Sequence, residues 1–135
     1  MDKFDSVAEK LRIVGLRPTR QRLALARMLF DGCDRHISAE RLHAEALSAK
    51  VDVSLATIYN TLHQYKDAGL LREVAIEGER SYYDTNTSNH FHFLDEETGE
   101  LSDIDPDALS IAGIPEAPAG RQIDRIDVIV RLKKS

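Results

Sequence analysis

Ser54-Leu55-Ala56-Thr57-Ile58-Tyr59-Asn60-Thr61-Leu62-His63-Gln64-Tyr65-Lys66-Asp67-Ala68-Gly69 reads as one capped helix with a single apolar stripe and an unusually specific polar face. Leu55, Ile58, Leu62 and Tyr65 fall at i, i+3, i+7 and i+10 and so share one side. Ala56, Thr57, Tyr59, Asn60 and His63 crowd the other. Ser54 is placed to cap the start and Gly69 the end. A surface helix with no binding duty usually carries Glu and Lys on its wet side. Short hydrogen-bonding groups and a tyrosine suit base edges and thymine methyls in a DNA groove, with an ordinary solvated face as the competing reading.

The segments before this helix repeat the pattern of short capped helices. An amphipathic run from about Ser6 to Val14 stops at Gly15. A second helix follows, with Pro18 in its first turn; it buries Leu23, Leu25, Ala26, Leu29 and Phe30, ends at Asp31-Gly32, and leaves Arg20, Arg22 and Arg27 to solvent. A third, capped by Ser38, carries Leu42, Ala46 and Leu47, and the short Val51-Asp52-Val53 connection then gives helix-turn-helix spacing. Behind it, Leu70 to Ile76 and Arg80 to Asp84 flank Glu77-Gly78-Glu79, which predicts a hairpin and completes a winged helix.

Composition bounds the rest. A chain of 135 residues, 42% apolar, is large enough for two small domains. The single cysteine, Cys33, excludes an internal disulfide framework and any zinc site built from two or four cysteines. Nothing near Met1 resembles a signal peptide or membrane span, so a cytoplasmic location with no membrane partner is expected. The net charge of -5 is unevenly spread: residues 1–83 carry 13 Lys/Arg against 12 Asp/Glu, and residues 84–135 carry 5 against 11. Lys10, Arg12, Arg17, Arg20, Arg22 and Arg27 occur with no acidic residue among positions 10–28, a basic stripe of the kind that contacts phosphates.

Gly15-Leu16-Arg17-Pro18-Thr19-Arg20-Gln21-Arg22, His36-Ile37-Ser38-Ala39-Glu40 and Ser54 to Asn60 together resemble the ferric uptake regulator superfamily, and the likeness spans nearly the whole chain. Tyr59-Asn60-Thr61-Leu62, Asp84-Thr85-Asn86-Thr87 and the ending Ile123 to Leu132 look most similar to the iron response regulator branch. The resemblance implies an α+β protein. A winged helix-turn-helix domain is expected over residues 1–84, a hinge over 85–89, and a small α/β domain for dimerisation and metal or heme sensing over 90–135. It implies a homodimeric repressor on the major groove of an AT-rich inverted repeat in double-stranded DNA. Tyr59 is then expected to touch bases and Arg22 a phosphate, with Arg17, Thr19, Arg20, Ala56, Thr57 and Asn60 completing the interface.

A second constellation consists of metal-ligand types: His36, Asp84, His90, His92 and Asp103. In a strand His90 and His92 point to one face, and Gly99 can reverse the chain so that Leu101 to Ile104 pairs back and brings Asp103 near. Three imidazoles and two carboxylates suit Fe(II), Mn(II) or Zn(II), and affinity order alone does not choose among them. Similarity to the family's peroxide-sensing members puts all five positions on the ligands of their regulatory ferrous or manganous site. Such a site would join DNA-binding domain, hinge and dimerisation domain and set the angle between the two readers of a dimer. His43 and His63 have no ligand partner in spacing and read as ordinary polar residues.

Departures from the wider family sharpen these expectations. Many members carry a Cys-x-x-Cys pair for a structural zinc where this chain has Asp95-Glu96-Glu97-Thr98, so no structural four-cysteine zinc is expected. A shortened helix is expected from Asp107 to Ala112, because Gly113, Pro115, Pro118 and Gly120 follow. Dimerisation is then assigned to Ile126, Val128, Val130 and Leu132, alternating on one face of a final strand with an edge free for a second copy.

In the iron response branch the effector is heme, with His90 and His92 as candidate axial ligands here. The chain lacks that branch's N-terminal Cys-Pro motif, and Phe91 interrupts its run of histidines. A small metallohydrolase is the competing class. No phosphate loop, nucleophile elbow or HExxH helix appears, so no enzyme is expected. Within the regulator class, a peroxide-sensing or Mn(II)/Fe(II)-dependent repressor is the rival.

Overall fold

The computed structural model describes residues 3–32, 34–77, 80–87 and 91–135. The chain divides into two compact units, residues 1–87 and 88–135.

The first unit runs α1 (Lys3–Ile13), α2 (Arg20–Leu29), β1 (His36–Ile37), α3 (Ala39–Ser48), α4 (Leu55–Asp67), β2 (Arg72–Glu77) and β3 (Arg80–Asp84). Three of its helices start on a hydroxyl: Thr19, Ser38 and Ser54 each accept the backbone N–H three residues on, at 3.2, 3.1 and 3.1 Å. Each such cap contributes about 1 kcal/mol. Thr19 takes the cap of α2, so Pro18 lies just outside the first turn and not within it. The end of α4 follows expectation, with Ala68 and then Gly69 at φ +84°, a left-handed turn that suits a residue without Cβ.

Leu25, Ala26 and Leu29 of α2, Leu42 and Ala46 of α3, and Ile58, Leu62 and Tyr65 of α4 form the core, joined by Val7 and Leu11 of α1 and by Tyr83 of β3. Leu47 is 61% exposed, because its neighbour Ala46 takes the inward position on α3. Arg27 is half-buried, not turned fully to solvent. The expected strand from Leu70 begins only at Arg72, and the wing's turn at Gly78 and Glu79 lies outside the described residues.

The wing gains a third strand that hydrophobic periodicity does not reveal, since β1 has only two residues. The sheet order is β1-β3-β2, with His36 opposite Asp84 and Ile37 opposite Tyr83. Arg72 lies opposite Asp84 on the other side of β3, and both are buried.

The second unit is a three-stranded sheet of β4 (Phe91–Asp95), β5 (Leu101–Ile104) and β6 (Ile129–Leu132), in the order β5-β4-β6. β5 returns antiparallel to β4 and sets His92 opposite Asp103, as the Gly99 reversal predicts. The corner is closed by Asp95, whose Oδ1 accepts from the N–H of Glu97 at 2.9 Å and of Thr98 at 3.3 Å. β6 runs parallel to β4, with Phe93 beside Val130. A parallel return requires a long crossover.

That crossover is almost free of regular structure, and the helix expected from Asp107 to Ala112 does not form. It is replaced by a single 3-10 turn, Pro106–Ala108, capped by Asp105. Gly113 at φ +73°, followed by Ile114-Pro115, stops any continuation. Ile126 and Val128 likewise fall before the ladder, so only Val130 and Leu132 of the expected stripe lie on β6. The outer edge of β6 carries no further strand among the described residues. No helix among them is long and apolar enough to cross a membrane.

Candidate nucleic-acid interface and metal ligands

The stripe on α4 divides as the spacing predicts. Ile58, Leu62 and Tyr65 are fully buried, Leu55 is half-buried, and Thr61 joins the buried side. On the opposite face Ala56, Asn60 and His63 are exposed, while Thr57 and Tyr59 are half-buried. Thr57 also closes the capped turn, its hydroxyl accepting from Ser54 Oγ at 3.0 Å. Tyr59 packs partly on the core and donates its hydroxyl to Glu40 Oε1 of α3.

Beside this face the start of α2 and the flank of α4 line an open polar hollow of about 360 Å³, bordered by Arg17, Thr19, Gln21, Arg22, Thr57, Asn60, Thr61 and Gln64. Five of the eight predicted DNA-contacting residues therefore converge on one hollow, while Arg20, Ala56 and Tyr59 lie outside its lining. Arg22 is held by three bonds. Nε and Nη2 donate to Gln64 Oε1 at 3.4 and 3.1 Å, and Nη1 donates to the Arg17 carbonyl at 3.0 Å. The Tyr65 hydroxyl donates to the Arg22 carbonyl at 2.6 Å. Burial pushes the Tyr65 hydroxyl well above the usual tyrosine pKa, against the pull of the Arg22 charge, so it stays a donor.

Two members of the basic stripe are engaged elsewhere: Lys10 sits 4.8 Å above the Phe30 ring, and Arg12 pairs with Glu9 at 3.6 Å. Glu40 and Gln64 were not among the predicted site residues. Gln64 falls four residues after Asn60 and seven after Thr57, so helical spacing points to it, whereas nothing in the spacing points to Glu40.

The candidate metal ligands occur as one His–carboxylate pair in each unit. In the first, β1 and β3 bring His36 Nε2 to 3.1 Å from Asp84 Oδ2, and the Asp84 side chain is fully buried. The other Asp84 oxygen accepts from Asn86 N at 2.9 Å. The pair is braced from outside: Arg35 N donates to Thr85 Oγ1 at 2.8 Å and Thr85 N to the Arg35 carbonyl at 3.0 Å. Arg35 also binds Glu45 Oε2 of α3 at 2.7 Å and the Met28 carbonyl at 3.0 Å. That hydrogen bond from Arg35 holds the Glu45 carboxyl below the usual carboxylate range. Thr85, expected in the hinge, is thus tied to the first unit.

In the second unit His92 Nε2 lies 3.4 Å from Asp103 Oδ1, with His92 buried and the Asp103 side chain 38% exposed. His90 lies outside the described residues. In each pair an imidazole nitrogen lies beside a carboxylate oxygen, and both are donor types that first-row divalent ions accept.

Several known proteins are similar to this chain. The model of the ferric uptake regulator family matches residues 13–124. A peroxide-responsive repressor, PerR, of Staphylococcus epidermidis is 39% identical over 101 residues, 74% of this chain; the chain spans 65% of that relative's length. The solved ferric uptake regulator of Vibrio cholerae aligns with TM-score 0.74 at 25% identity, over 94% of this chain and 98% of the other. That of Pseudomonas aeruginosa with manganese has the same fold, with TM-score 0.69, 24% identity and coverage of 95% and 97%. The capped helix α4 with the β2–β3 hairpin after it, Arg22 on α2 and a His–carboxylate pair in each unit all fall within the matched residues, and the chain belongs to the ferric uptake regulator family.

Proposed function

We propose that the protein is a homodimeric transcriptional repressor that reads an AT-rich inverted repeat through α4. Its operator affinity is set by one divalent ion, Fe(II), Mn(II) or Zn(II), held by His36, Asp84, His92 and Asp103, with His90 as a fifth ligand. The observation that carries this reading is the pairing: each unit aims one imidazole nitrogen at one carboxylate oxygen, at 3.1 and 3.4 Å. An ion drawing on both pairs links its own binding to the placement of the reading helix, which is what a metal-responsive repressor requires. Family membership favours transcription control over hydrolysis.

On the DNA side, Arg17, Arg20 and Arg22 supply phosphate contacts, Thr19 holds the anchor turn, and Ala56, Thr57, Tyr59 and Asn60 face the bases. Dimerisation uses the unpaired edge of β6 and the half-exposed apolar residues Phe93 and Val130 beside it.

Likeness to a peroxide-responsive repressor favours peroxide as the second reading. It predicts a mass gain of one oxygen on His36 or His90 when the Fe(II)-loaded protein meets peroxide. The heme-responsive branch, and with it a role in iron and heme homeostasis, rests on the C-terminal motif likeness. Against it stands His92, 2% exposed and engaged by Asp103, an environment suited to a small ion more than to an axial bond on a macrocycle.

The deciding experiment measures binding to an AT-rich inverted-repeat duplex after chelator, Mn(II), Fe(II) and heme in turn. Binding that requires Mn(II) or Fe(II) is the expected result. Metal-free protein that binds and is released by heme would replace the metal reading with the heme one.

A further inference from the structure

Arg22 differs from Arg35, another well-held arginine of the first unit, in what holds it. Arg35 is gripped by a carboxylate, Glu45, at 2.7 Å, and so carries its counter-charge with it. Arg22 makes no ion pair among the described residues; its three bonds go to an amide oxygen and a backbone carbonyl. An arginine offers only donors, so the Gln64 atom facing it must be the oxygen. Neutral acceptors fix the direction of the guanidinium without cancelling its charge. Of its five N–H bonds three are engaged, leaving one on each terminal nitrogen for a ligand in the polar cavity.

The adjacent residue of α4 completes the grip. Tyr65 donates to the Arg22 carbonyl at 2.6 Å while Gln64 takes its side chain, so two consecutive residues of the reading helix hold both ends of one residue of α2.

We propose that Gln64 is a positioning residue for DNA docking, holding the Arg22 guanidinium pre-aimed and fully charged so that phosphate anchor and reading helix arrive as one rigid piece. This rests on the DNA-binding reading above. Free in solution, an arginine side chain that must be ordered on binding gives up its rotamer freedom at the moment of docking. Gln64 removes that loss before DNA arrives, and it does so without touching the DNA.

The test measures fluorescence anisotropy of the Mn(II)-loaded protein on a labelled AT-rich inverted-repeat duplex and a scrambled duplex, across a salt series. Gln64→Leu is expected to weaken both about tenfold for each protomer's contact, the cost of ordering one arginine, with the salt slope unchanged because the charge remains. Arg22→Ala is expected to weaken both and flatten the slope by about 0.9 for each protomer's contact. The double variant should bind no more weakly than Arg22→Ala alone, since Gln64 acts only through Arg22. Gln64→Glu should flatten the slope as well, because it keeps an acceptor but supplies a built-in counter-charge. Additive losses in the double variant, a Gln64→Leu protein that binds like wild type, or an unaltered slope in Gln64→Glu would each overturn the proposal while leaving DNA binding intact. An Arg22→Ala protein with unchanged affinity and slope would overturn the phosphate contact itself and the proposal with it.

Discussion

Tyr59 of α4 and Glu40 of α3, nineteen residues apart, are joined by a hydrogen bond from the tyrosine hydroxyl to the carboxylate. The ring of the principal base-reading candidate is therefore fixed at its tip by one helix and at its root by another. With its hydroxyl engaged, the half-buried ring has its carbon atoms to offer, suited to apolar contact with thymine methyls. Tyr59→Ala should reduce discrimination between the operator and a scrambled duplex by about tenfold, within the 1–3 kcal/mol typical of one specific base contact. Competition binding against the two duplexes checks this, and full retention of discrimination would mean that α4 faces the groove in another orientation.

The buried Asp84 offers a direct probe of the metal reading. Asp84→Asn keeps the shape and the acceptor for Asn86 N but removes the negative charge beside His36. We expect Mn(II) affinity to fall at least tenfold by calorimetric titration. Saturating Mn(II), at about 100 times its dissociation constant, should raise the wild-type stability by roughly 2.7 kcal/mol. The same Mn(II) concentration should give much less in the variant. Equal stabilisation of both proteins would remove Asp84 from the ligand set.

Glu45 predicts a pH signature. Its carboxyl is held below the usual value of 4.5, chiefly by the hydrogen bond from Arg35. A carboxyl depressed on folding contributes stability above the unfolded-state value, and loses it as pH falls through the lower folded-state value. Glu45→Gln should therefore lower stability at pH 7 by about 1 kcal/mol and flatten the stability loss below pH 4.5. Denaturation midpoints at pH 7 and pH 4 give both numbers; identical pH dependence in the two proteins would count against the pair.

Ser54→Ala removes the acceptor that holds Thr57 N at 3.1 Å. The loss should be about 1 kcal/mol in global stability, with faster amide exchange confined to the first turn of α4. Exchange that rises evenly along the helix would show that the cap is not what fixes its start.

The features that could be read from the chain are those with short-range causes. The reading helix shows itself because its stripe, cap and terminal glycine lie within sixteen residues. Asp103 could be matched to His92 because Gly99 makes a tight return and a ladder has a fixed register. Other features have causes outside the local window. Two-residue β1 exists only because β3 is there to pair with it, and Pro18 yields its first-turn place because Thr19 is the better cap. Glu40 and Arg35 are surface charges by spacing, and acquire roles only when α3 and β3 are brought beside α4 and β1. The failed helix after Asp107 shows the opposite error, where the six residues left before Gly113 are too few to sustain a helix and the backbone is already extended at Leu109.

The corner between β4 and β5 closes on a single carboxylate oxygen, Asp95 Oδ1, receiving two backbone N–H groups. A turn built from the chain's own atoms is ready as soon as it is synthesised. Both bonds come from residues within three positions of the carboxylate that accepts them. A loop this short closes at little entropic cost and fixes the register of β4 on β5, so the placing of His92 opposite Asp103 is decided at the corner and not by the long crossover that follows.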